Sequence, residues 1–279
     1  MLAMQSRSVQ MDSDTRCIFC LTDASTSRSV EHLVPQSLGN QSHVLPAGIV
    51  CDRCNGYFAI KVEKPLLDSG YFTALRFHQS VPNKRGRIPT LPGVHAQTGI
   101  PVTAYKTVAG TRGIVIDPDQ INHFLESICK TSRGELWFPV AKAPPSNLIE
   151  RFMAKCGLEI AAQRFCPHSG WRAQTVMRAE FDPIRRFARF GEGATWPVHI
   201  RRIYAADTAF PSAEGELTQV IHEYDLLYSD RAELYAVLAI FGVELCINLV
   251  GPEIDGYLDW LRRHNGVSPL YTALGRYTL

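Results

Sequence analysis

Apolar positions recur at helical spacing from Ser146 to Phe165, where Leu148, Ile149, Phe152, Met153, Cys156, Leu158, Ile160 and Ala161 predict one long helix with Ser146 as its cap. Gly157 is the one residue in that run that argues against it. A shorter helix is predicted from Asp182 to Phe190, with Pro183 in its first turn. Beyond Thr218 the pattern shifts to three β-rich segments, Gln219–Tyr228, Glu233–Phe241 and Val243–Leu249. Ser229-Asp230 and Gly242 punctuate them, so they predict an antiparallel meander, followed by a last helix over Ile254–Arg263. Between Arg87 and Pro118, short alternating runs among Gly, Pro, Thr and Val predict strands and turns.

The N-terminal part reads differently. Arg16 to Leu21 has the look of a knuckle, and Ser29 to Pro35 is a short extended piece followed by a polar loop. Val44 to Val50 supplies a second strand, and a helix opens at Asp52 or Arg53 and ends near Pro65. The expected fold class is therefore α+β. Residues 1–14 are a flexible tail, a small ββα module occupies 15–80, and a mixed α+β region with the meander occupies 81–279.

Composition narrows this picture without naming a function. At 46% hydrophobic and 20% charged residues the chain is ordinary for a soluble globular protein, and no apolar run approaches the ~18 residues needed to span a bilayer. The polar N-terminus lacks an apolar signal core, so a cytoplasmic location and no membrane partner are expected. A net charge of +2 excludes a histone-like polycation. Basic clusters stand at Lys84-Arg85-x-Arg87, Arg185-Arg186-x-x-Arg189, Arg201-Arg202 and Arg262-Arg263-His264. Each is ordinarily a solvated face, and together they permit nucleic acid without demonstrating it.

The cysteines carry the chemistry. Cys17-x-x-Cys20 and Cys51-x-x-Cys54 have the spacing of a four-thiolate structural zinc site, closed to water. Cys129, Cys156, Cys166 and Cys246 read as core, and Cys156 and Cys166, ten apart on a predicted helix, do not readily form a second site with His168. Inside the loop that the clamp closes lies Glu31-His32, and Asn55 follows the last cysteine. Phosphodiester hydrolysis needs a base near neutral pKa and a hard cation bound by a few oxygens. Histidine is the side chain suited to the first. Adjacent residues on an extended segment leave on opposite sides, so one of the pair can face an ion that the Asn55 amide oxygen also reaches while the other addresses the attacking water.

C-x-x-C, then EH-x-x-P-x-S-L-G, then C-x-x-C-N resembles the zinc-bearing HNH endonucleases, over roughly Thr15 to Ser69. The resemblance implies a ββα-metal fold, with His32 as general base and Glu31 and Asn55 as ligands of a catalytic Mg²⁺ or Mn²⁺. Cys17, Cys20, Cys51 and Cys54 then hold the structural Zn²⁺. It implies a DNA substrate, with RNA as an alternative polymer, and 5′-phosphate and 3′-hydroxyl products. Double-strand cleavage would call for a homodimer or two binding events, and restriction, phage defence and mobile-element roles are all compatible. Two positions depart from the family pattern. Pro46 stands where a middle Asn normally braces the loop carrying the base, with Asn40 and His43 nearby but offset, and the last metal position is Asn rather than His. Glu63 reads as a surface residue or one outside the ion's direct reach, and Lys155 as a helix-surface lysine, or as a phosphate contact if its helix packs beside the zinc module. The competing reading is a non-catalytic zinc module that recognises nucleic acid or protein.

Overall fold

Two short strands and a helix follow the first cysteine pair. β1 (Glu31–His32) runs antiparallel to β2 (Val44–Leu45), with Glu31 opposite Leu45 and His32 opposite Val44. α1 (Asp52–Phe58) comes next. The computed structural model describes residues 14–83, 85–131, 133–140, 142–166, 170–211 and 215–271; residues 1–13 of the expected tail, Lys84 and His168 lie outside them. The helix does not stop at Pro65. A π turn over Ala59–Glu63 leads into α2 (Lys64–Leu67), because a wider turn relieves the clash between a proline ring and the carbonyl one turn back.

The chain forms two compact units, one of residues up to Val34, Ser42–Glu63 and Ser146 onward, the other of Pro35–Gln41 and Lys64–Pro145. The second unit holds α2, α3 (Gly70–His78), β3 (Leu91–His95), β4 (Pro101–Lys106), β5 (Arg112–Ile116), α4 (Ile121–Thr131) and β6 (Leu136–Trp137). Its four strands form an antiparallel sheet in the order β5-β4-β3-β6. Phe77 from α3 packs with Leu91 and Ala104 against that sheet. Cys129, expected in the core, is exposed on α4 instead; the apolar residues around it alternate with Asn, His, Glu and Lys, and Phe124 is the one that turns inward.

The first unit resumes at α5 (Ser146–Phe165). After it come α6 (Trp171–Gln174) and α7 (Asp182–Phe190), then β7 (His199–Arg202) and a β8–β9 hairpin (Ala209–Pro211 and Leu217–Gln219). The meander β10 (His222–Tyr228), β11 (Leu234–Ile240) and β12 (Val243–Asn248) is antiparallel throughout, and β7 joins it beside β12. α8 (Asp255–Arg263) closes the unit.

β11 carries no charged residue because both faces of the sheet are covered. Tyr235, Val237 and Ala239 meet Cys246 and the α8 residues Tyr257, Trp260 and Leu261 on one side. On the other, Ala236, Ile247 and Leu249 lie against Gly157 of α5. The fold is thus mixed α+β with antiparallel sheets: a helix-containing N-terminal module, then a sheet-rich C-terminal region. Among the described residues no helix is long and apolar enough to cross a membrane.

Two members of the basic clusters are ion-paired across elements, one of them with a buried partner. Arg201 pairs with buried Glu244, which also accepts from the Tyr257 hydroxyl at 2.6 Å, and Arg263 pairs with Asp230 at 2.6 Å.

Candidate functional site

The knuckle at Cys17–Cys20 turns back on itself through the bond from the Leu21 amide to the Cys17 carbonyl, with Leu21 at positive φ. Cys51 caps α1, its sulfur accepting from the Cys54 amide at 3.4 Å, so the second pair sits where helix amides face outward. The Cys51 amide in turn donates to Cys17 Sγ at 3.3 Å. All four Sγ atoms lie within 4.8 Å of one another, and Cys20 and Cys51 are 3.6 Å apart. A tetrahedral zinc at the usual Zn–S distance sets sulfurs about 3.8 Å apart, so the cluster fits a structural zinc. The Cys54 thiol, followed by the amides of Cys51, Cys20 and Phe19, pulls the Cys17 thiol down to about 4. Cys54 is pushed the other way by its bond to Cys17, and Cys51 by burial, so the set gives up its remaining protons as a metal binds. Among the described residues no other group of three or more His, Cys, Asp or Glu side chains is arranged to hold a metal.

The clamp sets the approach to β1. Asp52, the first residue of α1, accepts from the amides of Arg28 and Ser29 at 3.1 and 2.8 Å and from the Ser29 hydroxyl, which holds its carboxyl below the usual range. Asn55, one turn on, donates its amide nitrogen to the Val30 carbonyl at 3.3 Å. The side chain of Asn55 therefore lies against the peptide that precedes Glu31-His32, with its amide oxygen a separate acceptor. His32 is half-buried on β1. His43 leads into β2, where its carbonyl accepts from the Leu33 amide at 3.1 Å and its ring Nδ1 meets the Tyr224 hydroxyl of β10 at 2.9 Å.

Glu31 points the other way, into the protein, and is only 4% exposed. Its Oε1 is 2.7 Å from Nζ of Lys155, a side chain with no solvent exposure at all. The same ammonium contacts Glu63 Oε1 at 2.7 Å, Glu159 Oε2 at 3.0 Å and the His32 carbonyl oxygen at 3.1 Å. This corrects the expectation for Lys155. Lys155 is no surface lysine, because α5 is buried on nearly all sides and its Lys155–Glu159 pair has no face on which to reach water. Glu63, read from the sequence as a surface residue or one outside the ion's direct reach, shares one cation with Glu31, which agrees with the second alternative; the π turn places it there. Burial pulls the Lys155 ammonium down, but Glu159, Glu63 and Glu31 outweigh it and raise it well above its ordinary value. Burial pushes the Glu31 carboxyl up, opposed by Lys155. Glu31 Oε2 is buried with no hydrogen-bond partner.

Three further side chains fasten the module to the C-terminal region, and sequence reasoning missed their roles. Arg185 on α7, read as part of a basic cluster, is buried; it donates to the Ile18 carbonyl at 2.8 Å and to the Val176 carbonyl. Arg172 on α6 reaches the carbonyls of Arg16 and Gly48, the latter at 3.1 Å. Tyr57 of α1 donates to the Arg189 carbonyl and accepts from Arg151 at 3.1 Å. The available signal is weak: an arginine flanked by the apolar stripe Ile184, Phe187 and Ala188. Replacing Arg185 by Met removes donors from buried carbonyls, and the expected loss is roughly 3 kcal/mol, read as a lower urea midpoint at unchanged slope.

Residues 17–69 match the family model of the HNH endonucleases. That segment spans both cysteine pairs, Glu31-His32 and Asn55. No curated protein and no solved structure matches the chain.

Proposed function

We propose that this chain is a metal-dependent endonuclease that hydrolyses DNA phosphodiester bonds. The observation that carries it is the zinc-clamped ββα segment with His32 half-buried on β1 and Asn55 bonded to the Val30 carbonyl. The match of residues 17–69 to the HNH endonucleases supports a nucleic-acid substrate.

Glu31 and Asn55 are the residues that would hold the catalytic Mg²⁺ or Mn²⁺. Their fit rests on donor chemistry: hard divalent ions take carboxylate and amide oxygens, and Glu31 Oε2 is a buried carboxylate oxygen with no hydrogen-bond partner. When bound, the ion supplies Lewis-acid stabilisation of charge on the phosphoryl group and the leaving oxygen.

His32 does the proton work. Its neutral imidazole takes a proton from water, whose oxygen attacks phosphorus; the bond from phosphorus to the 3′-oxygen breaks, and that oxygen is protonated from solvent. The products are a 5′-phosphate and a 3′-hydroxyl. A general base of this kind contributes about 10²–10⁴-fold. Zinc takes no part in the chemistry, since four thiolates fill its coordination sphere.

The test is incubation with supercoiled plasmid and Mg²⁺ or Mn²⁺, with EDTA and His32→Ala as controls. The expected result is metal-dependent nicking that falls by at least ~100-fold in His32→Ala at unchanged zinc content. Full cleavage by His32→Ala would remove His32 from the mechanism. Inert wild-type protein that still binds plasmid would favour the recognition module. A parallel RNA substrate separates the two polymers.

A further inference from the structure

Two consecutive residues of α5 grip two consecutive carbonyls at the end of β1. Lys155 Nζ lies 3.1 Å from the His32 oxygen, and the Cys156 thiol donates to the Leu33 oxygen at 3.0 Å. Lys155 also holds the Glu31 carboxylate, so one ammonium contacts the side chain of Glu31 and the backbone of His32 together. Glu63 and Glu159 fix that ammonium from the other side, at 2.7 and 3.0 Å. The arrangement is dry: Lys155, Cys156 and Glu159 have no exposed surface.

Within the loop itself, Pro46, which directly follows β2, has no side-chain donor or acceptor with which to brace β1. Asn55 reaches only the near side of the dipeptide, at Val30. The far side is held from α5, 123 residues away in the chain. A buried ion cluster adds little stability over an apolar filling of equal volume, but it fixes geometry in a way that an apolar filling does not.

We propose that Lys155, assisted by Cys156, is a positioning residue of the cleavage site, locking the backbone that carries His32 and the carboxylate of Glu31 into one working geometry. The proposal rests on the nuclease reading for its consequence but not for its geometry. The site is therefore composite. The family-matching segment supplies the reacting groups, and α5 sets where they point.

The test uses the full chain carrying Lys155→Met with Glu159→Leu, which removes the ammonium and one carboxylate together and fills the space with apolar groups of similar size. Cys156→Ala is the milder companion, since it leaves every charge in place. Three quantities are read: the kcat and KM for plasmid nicking, the Tm with zinc content, and the imidazole NMR signals of His32, assigned by their loss in His32→Ala. Misplacement of a reacting group by about 1 Å costs on the order of 100-fold in rate. The double variant is expected to lose about that much in kcat with KM within roughly twofold. Its zinc content should stay full and its His32 signals should shift. Cys156→Ala should lose kcat by a smaller factor in the same direction, and it decides the matter if the double variant does not fold.

Unchanged kcat and unchanged His32 signals in folded, zinc-loaded variants would overturn the proposal. A fall in Tm with kcat intact would overturn it too, because it would mark a structural role alone. Should the wild type prove inert on plasmid, the nuclease reading fails by itself. The His32 signals then still decide whether Lys155 positions that residue.

Discussion

Stripping zinc with a strong chelator, or replacing Cys54 by Ser, is expected to unfold the N-terminal module and abolish nicking. A structural zinc contributes on the order of 10 kcal/mol, which equals or exceeds the whole ~5–15 kcal/mol that holds a typical domain together. The module has little else of its own. β1 and β2 are two residues each, and α1 is seven. Its apolar centre, Ile18, Phe19, Leu33, Leu45 and Phe58, is small, with Phe19 and Phe58 in ring contact at 4.4 Å. A core of that size does not stand alone without a metal. Hydrogen exchange should show protection lost across residues 17–58 on chelation and regained when zinc is returned. Mg²⁺ alone should not restore it, because hard cations bind thiolates poorly. Protection in that segment that persists in zinc-free protein would overturn the assignment of the four cysteines as a structural site.

Gly157→Leu is expected to destabilise the C-terminal sheet region by about 3 kcal/mol or more. A Cβ at Gly157 would lie 2.6 Å from Leu249 Cδ2, 3.0 Å from Ala236 Cβ and 3.4 Å from Ile247 Cγ2. The helix and the sheet approach so closely there that only a hydrogen fits. Alanine is the informative control. It gains about 1 kcal/mol of helix propensity over glycine. Of its two tight contacts one is with the movable end of Leu249, so gain and strain nearly cancel and a change within about 1 kcal/mol is expected. The leucine has no such escape. Urea denaturation of the two variants measures both; a leucine variant as stable as the alanine one would mean that α5 can retreat from the sheet.

The same glycine marks where sequence reading worked and where it stopped. The bounds of α5 follow from its apolar positions, and Gly157, which argued against the helix locally, is explained by a contact with Ala236 and Ile247 that no local pattern encodes. The meander was legible because β11 and β12 are apolar runs broken by Gly242. The fourth strand, β7, was not, because its residues His-Ile-Arg-Arg bury nothing by themselves and owe their place to pairing with Val243–Cys246. α3 and α4 escaped notice between stretches rich in Gly and Pro.

At the site, the four cysteines were readable from spacing alone, since a tetrahedral ion dictates it. The neighbours of Glu31 were not. Lys155 looked like any helix-surface lysine, and the clue lay in its setting: Lys155 and Glu159 are separated by Cys, Gly and Leu and followed by Ile-Ala-Ala, which leaves no polar stripe for them to share. An ion pair at this spacing with apolar residues on every side belongs inside a protein. Arg185 hid in the same way, inside what reads as a basic patch.

Because the grip on β1 comes from α5, the order of synthesis matters. When Asn55 leaves the ribosome every reacting group of the candidate site has been made, yet Lys155 and Cys156 lie about a hundred residues downstream. At ~5–20 residues per second that is a delay of roughly 5–20 s. Arg172 and Arg185, which fasten the knuckle, arrive later still. On the roles proposed above, a nascent chain that already binds zinc would cut about 100-fold more slowly than the finished protein, as would a product terminated before α5. On that reading, full cleavage activity is in this way deferred to the finished protein.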